Sequence, residues 1–177
     1  LKSINDDGIN DNDLFNFGIN YNTVAHGGTP LYNGNIAETE WQTANQDNTF
    51  KWYKYGYDTF DRITEATDNT GNYNLFSVNY DRNGNLVTLN RQGAIVTNPI
   101  LGLDANNDGQ DDHFGHMDAL SYTYSGNRLI KVTDSAPIDQ YGFKDDAINT
   151  VGDYGDDYFY DANGNMLSDA NKGISSI

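Results

Sequence analysis

Apolar and aromatic side chains alternate with polar ones along most of this chain. The period is the two residues of a β-strand rather than the 3.6 of a helix. Phe15, Phe17, Ile19 and Tyr21 form the first such run. After a Gly/Pro-containing turn region, Thr23 to Pro30, a strand pair is expected from Tyr32 to Trp41 around Asn33-Gly34. Tyr53, Tyr55 and Tyr57 follow at i, i+2 and i+4, which places them on one sheet face. Phe76, Val78 and Tyr80 repeat the pattern, as do Leu120, Tyr122 and Tyr124, and finally Tyr158 and Tyr160. Ala66 and Ala119 sit in polar or strand-like surroundings, and no segment carries a helical period.

The aromatic runs end in the same way. A tyrosine, a short Asp/Asn/Gly turn, a small polar or basic residue and an aliphatic one recur at Tyr57–Ile63, Tyr80–Leu86, Tyr124–Leu129 and Tyr160–Met166. Tyr32–Ile36 is a looser fifth copy. Each unit reads as a hairpin: alternating aromatics in, a turn, and a return strand over Arg62–Thr67, Leu86–Leu89 or Leu129–Val132. The third turn is one residue shorter than the others. A single hairpin cannot bury its aromatic face, so neighbouring hairpins are expected to pair edge to edge in an array. Residues 1–49 are read as a polar lead-in (1–13) with divergent hairpin units, and 50–173 as the repeat proper. Acidic, Gly-containing connections interrupt the repeat at 94–116 and 134–157, and 174–177 are expected to be the end of a fragment.

Composition sharpens this picture. Of 177 residues, 23 are Asp, 25 Asn and 18 Gly, against only 3 Glu; the acidity is that of turns, not of helices. Thirteen Tyr, eight Phe and two Trp supply strand formers and argue against disorder despite 37% hydrophobic content. Lys and Arg number 10 against 26 acidic residues, so the formal charge is 10 − 26 = −16. A nucleic-acid partner, which needs concentrated basic surface, is excluded as an expectation, and so is an anionic membrane. No apolar run approaches ~20 residues, so membrane insertion by a helix is not expected. Cysteine is absent, which removes disulfide and thiol chemistry. The start at Leu1 without Met or a leader pattern reads as an internal fragment, with any export signal lying outside it.

Residues 79–93 (NYDRNGNLVTLNRQG) and 158–173 (YFYDANGNMLSDANKG) resemble the YD-repeat family, also called RHS repeats. Residues 55–64 (YGYDTFDRIT) and 120–134 (LSYTYSGNRLIKVTD) are similar to the variant with Arg before the aliphatic residue. The Asn- and Asp-rich flavour is similar to members from the Bacteroidetes. The resemblance covers most of 50–173 and, more weakly, 14–49. It implies an all-β ribbon of antiparallel hairpins spiralling into a hollow shell, as in polymorphic toxins, insecticidal toxin complexes and large surface proteins. This chain would then be a secreted or cell-surface section of wall, its partners being other segments of the same polypeptide, including an enclosed C-terminal domain. The Asp-Pro-rich junction that precedes such a cargo is absent from these residues.

The sharpest candidate chemistry is Asp104-Ala-Asn106-Asn-Asp108-Gly109-Gln110-Asp111-Asp112. Oxygen side chains at positions 1, 3, 5 and 9 with Gly at 6 match the first nine places of a calcium loop. Asp104, Asn106, Asp108 and Asp112, with a carbonyl near Gln110, are the expected Ca2+ ligands. Gly115 stands where the bidentate Glu normally falls, and a solvated acidic loop is the plain alternative. Asn5–Gly8 and Asn10–Asp13 share the flavour without the spacing. His113 and His116 face one way only on a helix, so exposed histidines flanking a strand are expected there; His26 carries even less information. Asp145/Asp146 and Asp156/Asp157 lack the apolar pocket a glycosidase acid needs, and adjacent acids in Gly-rich loops are expected to be solvated. Ser3, Ser77, Ser121 and Ser125 have no recognisable base. The chain is therefore expected not to be an enzyme. Trp41 and Trp52 are the better candidates for an exposed sugar platform among the aromatics, and a structural place is the expectation for them too; the competing class is a calcium-stabilised adhesin or glycan-binding module.

Overall fold

The computed structural model describes residues 2–5, 13–44, 47–136, 141–145 and 155–175. These residues are all-β: eleven strands and one 3-10 turn (Ala170–Lys172), with no α-helix among the described residues. The chain divides into two compact units, residues 1–74 and 75–177.

In the first unit β1 (Ser3–Ile4), β2 (Phe15–Asn20), β3 (Glu38–Thr43), β4 (Lys51–Tyr57) and β5 (Ile63–Asp68) lie side by side in chain order, antiparallel throughout. The register sets Phe17 opposite Trp41, Thr39 opposite Tyr53, and Tyr55 opposite Ala66. One face is consequently aromatic. Phe15 lies on Phe17 (6.1 Å between centroids), Trp41 on Tyr53 (5.9 Å) and Tyr53 on Tyr55 (6.1 Å). The opposite face pairs Glu38 with Lys54 and Glu40 with Trp52, and part of the β2–β3 connection, residues 25–28, folds onto it.

The second unit sets β6 (Leu75–Tyr80), β7 (Leu86–Ala94), β8 (Phe114–Ser125) and β9 (Arg128–Asp134) in the same order. A separate hairpin, β10 (Tyr158–Tyr160) with β11 (Met166–Asp169), approaches the far side of β9, where the Asp157 N–H donates to Ile130 O at 2.8 Å. The expected hairpins at Tyr57, Tyr80, Tyr124 and Tyr160 are thus all present, each tyrosine at or next to the end of its inbound strand.

Two boundaries differ from expectation. Tyr32–Trp41 is not a strand pair: the chain bends through Tyr32–Gly34 and only β3 follows. Leu31 and Ala37 donate their N–H groups to Tyr21 O and Asn20 O, so the whole connection is tied back to the end of β2, leaving Tyr32 83% exposed. The acidic insertion is shorter than 94–116, because Ala94 pairs with Phe114 and the strands claim both of its ends.

The apolar core is small. Among the described residues, Ala37, Ala66, Val78, Leu120 and Val132 are the buried hydrophobic side chains, against six buried polar ones: Glu38, Asp68, Asp118, Asp157, Asp169 and Asn171. With so little apolar side chain fully buried, hydrogen bonds to buried carboxylates carry an unusual share of the specificity.

Candidate functional site

Three of the turns are built on one plan. In Asp58–Arg62, Asp81–Asn85 and Asp161–Asn165 the first residue's N–H donates to the carbonyl of the fifth, at 2.9 Å in each case. The fourth residue turns into the left-handed region: Asp61 (φ 62°), Gly84 (φ 88°) and Gly164 (φ 87°). Glycine takes that conformation without steric cost and aspartate tolerates it. One oxygen of the leading aspartate then accepts the N–H groups of the third and fifth residues, between 2.8 and 3.1 Å. Its other oxygen accepts from the fifth side chain: Arg62 Nε (2.7 Å), Asn85 Nδ2 (2.9 Å) or Asn165 Nδ2 (2.8 Å). Those side-chain bonds lead in holding all three carboxyls below the ordinary aspartate value, with the backbone donors adding to them. The third turn lacks the aspartate and is shorter. Ser125 pairs directly with Arg128, and Gly126 takes φ 64° at the first central position, which a type II′ turn reserves for glycine.

Three of the repeat tyrosines stitch to the preceding copy of the motif within their own unit. Tyr57 OH donates to Ile36 O (2.9 Å), Tyr124 OH to Leu86 O (2.8 Å) and Tyr160 OH to Leu129 O (2.8 Å). Each acceptor is the aliphatic residue that closes the preceding copy of the motif, including the loose copy Tyr32–Ile36. Burial pushes the Tyr57 and Tyr124 phenols up, so they remain donors at any physiological pH. Burial, then the charge of Asp68, pushes Tyr53 up to about 12.

A second contact links successive turns. Asn33 Nδ2 and Asn35 Nδ2 donate to Asp61 Oδ1 (2.6 and 3.1 Å), and Asn83 Nδ2 and Asn85 Nδ2 donate to Asn127 Oδ1 (3.0 and 3.1 Å). An Asn-Gly-Asn turn therefore faces a turn whose residue before Arg bears a side-chain acceptor.

The 104–112 loop closes through its own side chains. Asp104 accepts the N–H groups of Asp108 (3.0 Å) and Gly109 (2.9 Å), and Asp112 accepts that of Ala105 (2.7 Å). Asn106 Nδ2 reaches both Asp108 Oδ2 (3.2 Å) and Asp112 Oδ1 (3.0 Å), while the Gln110 N–H donates to Asp108 Oδ1 (2.9 Å). The geometry brings Asn106, Asp108 and Asp112 together and leaves Asp104 capping the backbone. Among the described residues no three His, Cys, Asp or Glu side chains are set to hold a metal ion.

Several side chains behave differently from expectation. His26 stacks flat on Trp52 (4.9 Å, 5°), lies 5.7 Å from Phe50, and its Nε2 meets Glu40 Oε2 at 2.6 Å. Trp52 is therefore covered and Trp41 stacked, and both are half-buried, as the structural expectation for them has it. His113 is half-buried because its Nδ1 accepts the Ile100 N–H (2.9 Å), whereas the exposed His116 lies against the Phe76 ring. Asp157 is buried, not solvated, since its carboxylate accepts from Val132 N–H; Asp156 beside it is exposed. Asp145 is half-buried and accepts the Asp134 N–H at 2.9 Å, while Asp146 lies outside the described residues. So do most of the acidic stretches Asn5–Gly8 and Asn10–Asp13.

Glu38 is the acid that the residue pattern did not single out. It is 0% exposed and accepts the N–H groups of Ala25 (2.7 Å), His26 (2.9 Å) and Gly28 (2.8 Å), with Asn20 Nδ2 at 3.3 Å. Burial pushes its carboxyl up, but these four donors outweigh it and leave the group below its ordinary value. Gly28 is needed here, because a Cβ would fall 2.9 Å from Glu38 Oε1. No protein-family model matches the chain, and no curated protein matches it.

Proposed function

We propose that this chain is a non-catalytic section of wall in an RHS/YD-repeat shell, part of a large exported bacterial protein of toxin or surface type. Its work is structural: it encloses or presents another part of the same polypeptide. The observation that carries this reading is the tyrosine stitch, which within each unit binds a repeat tyrosine to the preceding copy of the motif by the same hydroxyl-to-carbonyl bond, at Ile36, Leu86 and Leu129. A chain whose units interact with neighbours in this way grows by addition and gains stability with length. Extensive half-exposed aromatic surface and a minimal core suit a sheet that must meet something on its faces rather than a free-standing globule. Electron microscopy of the polypeptide at its full natural length tests the reading. A hollow shell with density inside is expected, and a compact particle without a lumen overturns it.

Calcium at 104–112 belongs to the same proposal as a device that orders a long acidic connection. The donor set is all oxygen, which suits a hard cation, and Asn106 already draws Asp108 and Asp112 toward one point. Asp104, Asn106, Asp108 and Asp112 with the Gln110 carbonyl would hold the ion, and in a chain of charge −16 it would relieve local repulsion. Calcium is expected to raise the melting temperature and a chelator to lower it, with magnesium a poor substitute. Calorimetric titration checks this: heat for the wild type that is lost in Asp108→Ala supports it. Equal heats for both, or none, leave an ordinary solvated loop.

A further inference from the structure

From the turn-to-turn contacts we infer that the outer edge of β11 is a docking site for one class of β-hairpin. Its occupant has a tyrosine before its turn and an Asp or Asn just before a closing Arg. The inference rests on the shell reading in taking that occupant to be another hairpin of the same repeat. It adds which hairpins fit and which do not.

The residue at the left-handed place of the Asn33–Asn35 bend and of each five-residue turn, or before the Arg of the shorter turn, alternates along the chain. It is Gly34, Asp61, Gly84, Asn127 and Gly164 in order. Where it is Gly, the flanking asparagines donate outward to the next turn; where it is Asp or Asn, its Oδ1 receives them. Gly offers no side-chain acceptor, so two Asn-Gly-Asn turns cannot form this contact with each other. Asn163-Gly164-Asn165 is a donor turn. The asparagine before the glycine is exposed in all three turns (Asn33, Asn83 and Asn163), but the one after it differs: Asn35 and Asn85 are half-buried under an acceptor turn, whereas Asn165 is exposed.

The strand beyond the turn tells the same story. Leu86 and Leu129 are half-buried and give their carbonyls to a tyrosine of the following hairpin. Met166 holds the equivalent position in β11 and is 37% exposed, with Leu167 at 42%. The outer side of β11 also carries an isolated antiparallel bridge. Asp169 and Ile174 exchange both backbone hydrogen bonds, at 2.9 and 2.8 Å. Asp169 corresponds to Leu89 of β7, and Ile174 stands where Leu120 of β8 stands beside Leu89. A hairpin continuing from that point would set its tyrosine hydroxyl on Met166 O and its Asp or Asn acceptor under Asn163 and Asn165. Arg128, which lies 5.9 Å over the Tyr160 ring, shows that the closing Arg of such a hairpin can also cover the next repeat tyrosine outward.

The probe is a synthetic cyclised hairpin of residues 121–134, which starts just past the Ile174 position and carries Tyr124 and Asn127-Arg128. It is titrated into the 177-residue chain and followed by NMR at the Met166 and Leu167 methyl groups. Saturable shifts at these methyls are expected, with binding weakened about fivefold by Tyr124→Phe in the peptide, the equivalent of one neutral hydrogen bond. Asn163→Ala in the protein should weaken the same peptide while the Asp161–Asn165 turn keeps its backbone bond at position 163, which alanine retains. A hairpin of residues 77–91, with Gly84 at the deciding place, should bind more weakly than the 121–134 hairpin. Absent shifts at β11, equal binding by the Tyr124→Phe peptide, or equal binding by both hairpins overturns the inference. None of those outcomes touches the shell reading, which rests on the internal stitches and is tested separately by microscopy.

Discussion

Replacing Glu38 by alanine is expected to lower the stability of the first unit by about 3 kcal/mol and to release residues 25–28 from the sheet. A buried backbone donor left without an acceptor costs about 1–3 kcal/mol, and Glu38 serves the donors of Ala25, His26 and Gly28 at once. Water entering the vacated space recovers part of that cost. Glu38→Gln keeps the volume but presents an amide donor to donors, so it should fall between the wild type and alanine. The pH dependence has a definite sign. The folded carboxyl lies below its ordinary value of 4.5, so its stabilisation is fully present above that value and is lost as pH falls through the lower folded one. Wild type and Glu38→Ala should therefore differ most at neutral pH and converge in acid. Thermal melts across pH 2 to 7 check this, together with fluorescence of Trp52, which loses its flat contact with His26 when the loop lifts. A melting temperature within a degree or two of the wild type at pH 7 would sink the claim.

What could be read from the residues alone was whatever side chains themselves encode. Tyr53 and Tyr55 at a two-residue period announce a strand face, and they stack as neighbours on one. Asp-x-x-Gly-Asn announces a tight turn, and the shorter spacing at Tyr124 announced a shorter one, which the structure narrows from Ser125–Asn127 to two residues at Gly126. Functions carried by backbone groups were not legible. Glu38 looks like any polar residue at a strand start, since the three N–H groups it accepts leave no mark in the sequence. The stitch was half visible: the tyrosines recur, but their partners are the carbonyls of Ile36, Leu86 and Leu129, which any residue could supply. Tyr32–Ile36 shows the reverse error. Its motif predicts a hairpin, yet the ties to β2 keep it a bend, and only the carbonyl of Ile36 retains the repeat's role. The alternation of Gly84 and Asn127 was present in the chain throughout, but it acquires meaning only once the turns are known to face each other.

Asp157 gives the second large expected effect, and Asp156 supplies its internal control. The two adjacent acids look alike in sequence, yet Asp157 is 1% exposed and Asp156 lies on the surface. The Asp157 carboxylate accepts Val132 N–H (2.7 Å) from β9 and Asn171 Nδ2 (3.0 Å) from the turn after β11. Its main chain works in the same joint, donating to Ile130 O and accepting from the Ala170 N–H, both at 2.8 Å. Removing the carboxylate strips the acceptor from a donor on a buried valine and from a buried asparagine amide together. Hydrogen bonds to a charged group contribute about 1.5–3 kcal/mol each. Asp157→Ala should therefore cost about 3 kcal/mol, whereas Asp156→Ala should stay within about 0.5 kcal/mol, as surface changes usually do. Asp157→Asn keeps one oxygen that can accept from Val132 and should lose less than alanine. Amide exchange locates the damage: the Val132 N–H, protected in the wild type, should exchange faster in Asp157→Ala as the β10–β11 hairpin comes away from β9. Equal stability losses at 156 and 157, or a Val132 amide that stays protected, would mean that the joint is held by main-chain bonds alone and that the buried carboxylate is incidental.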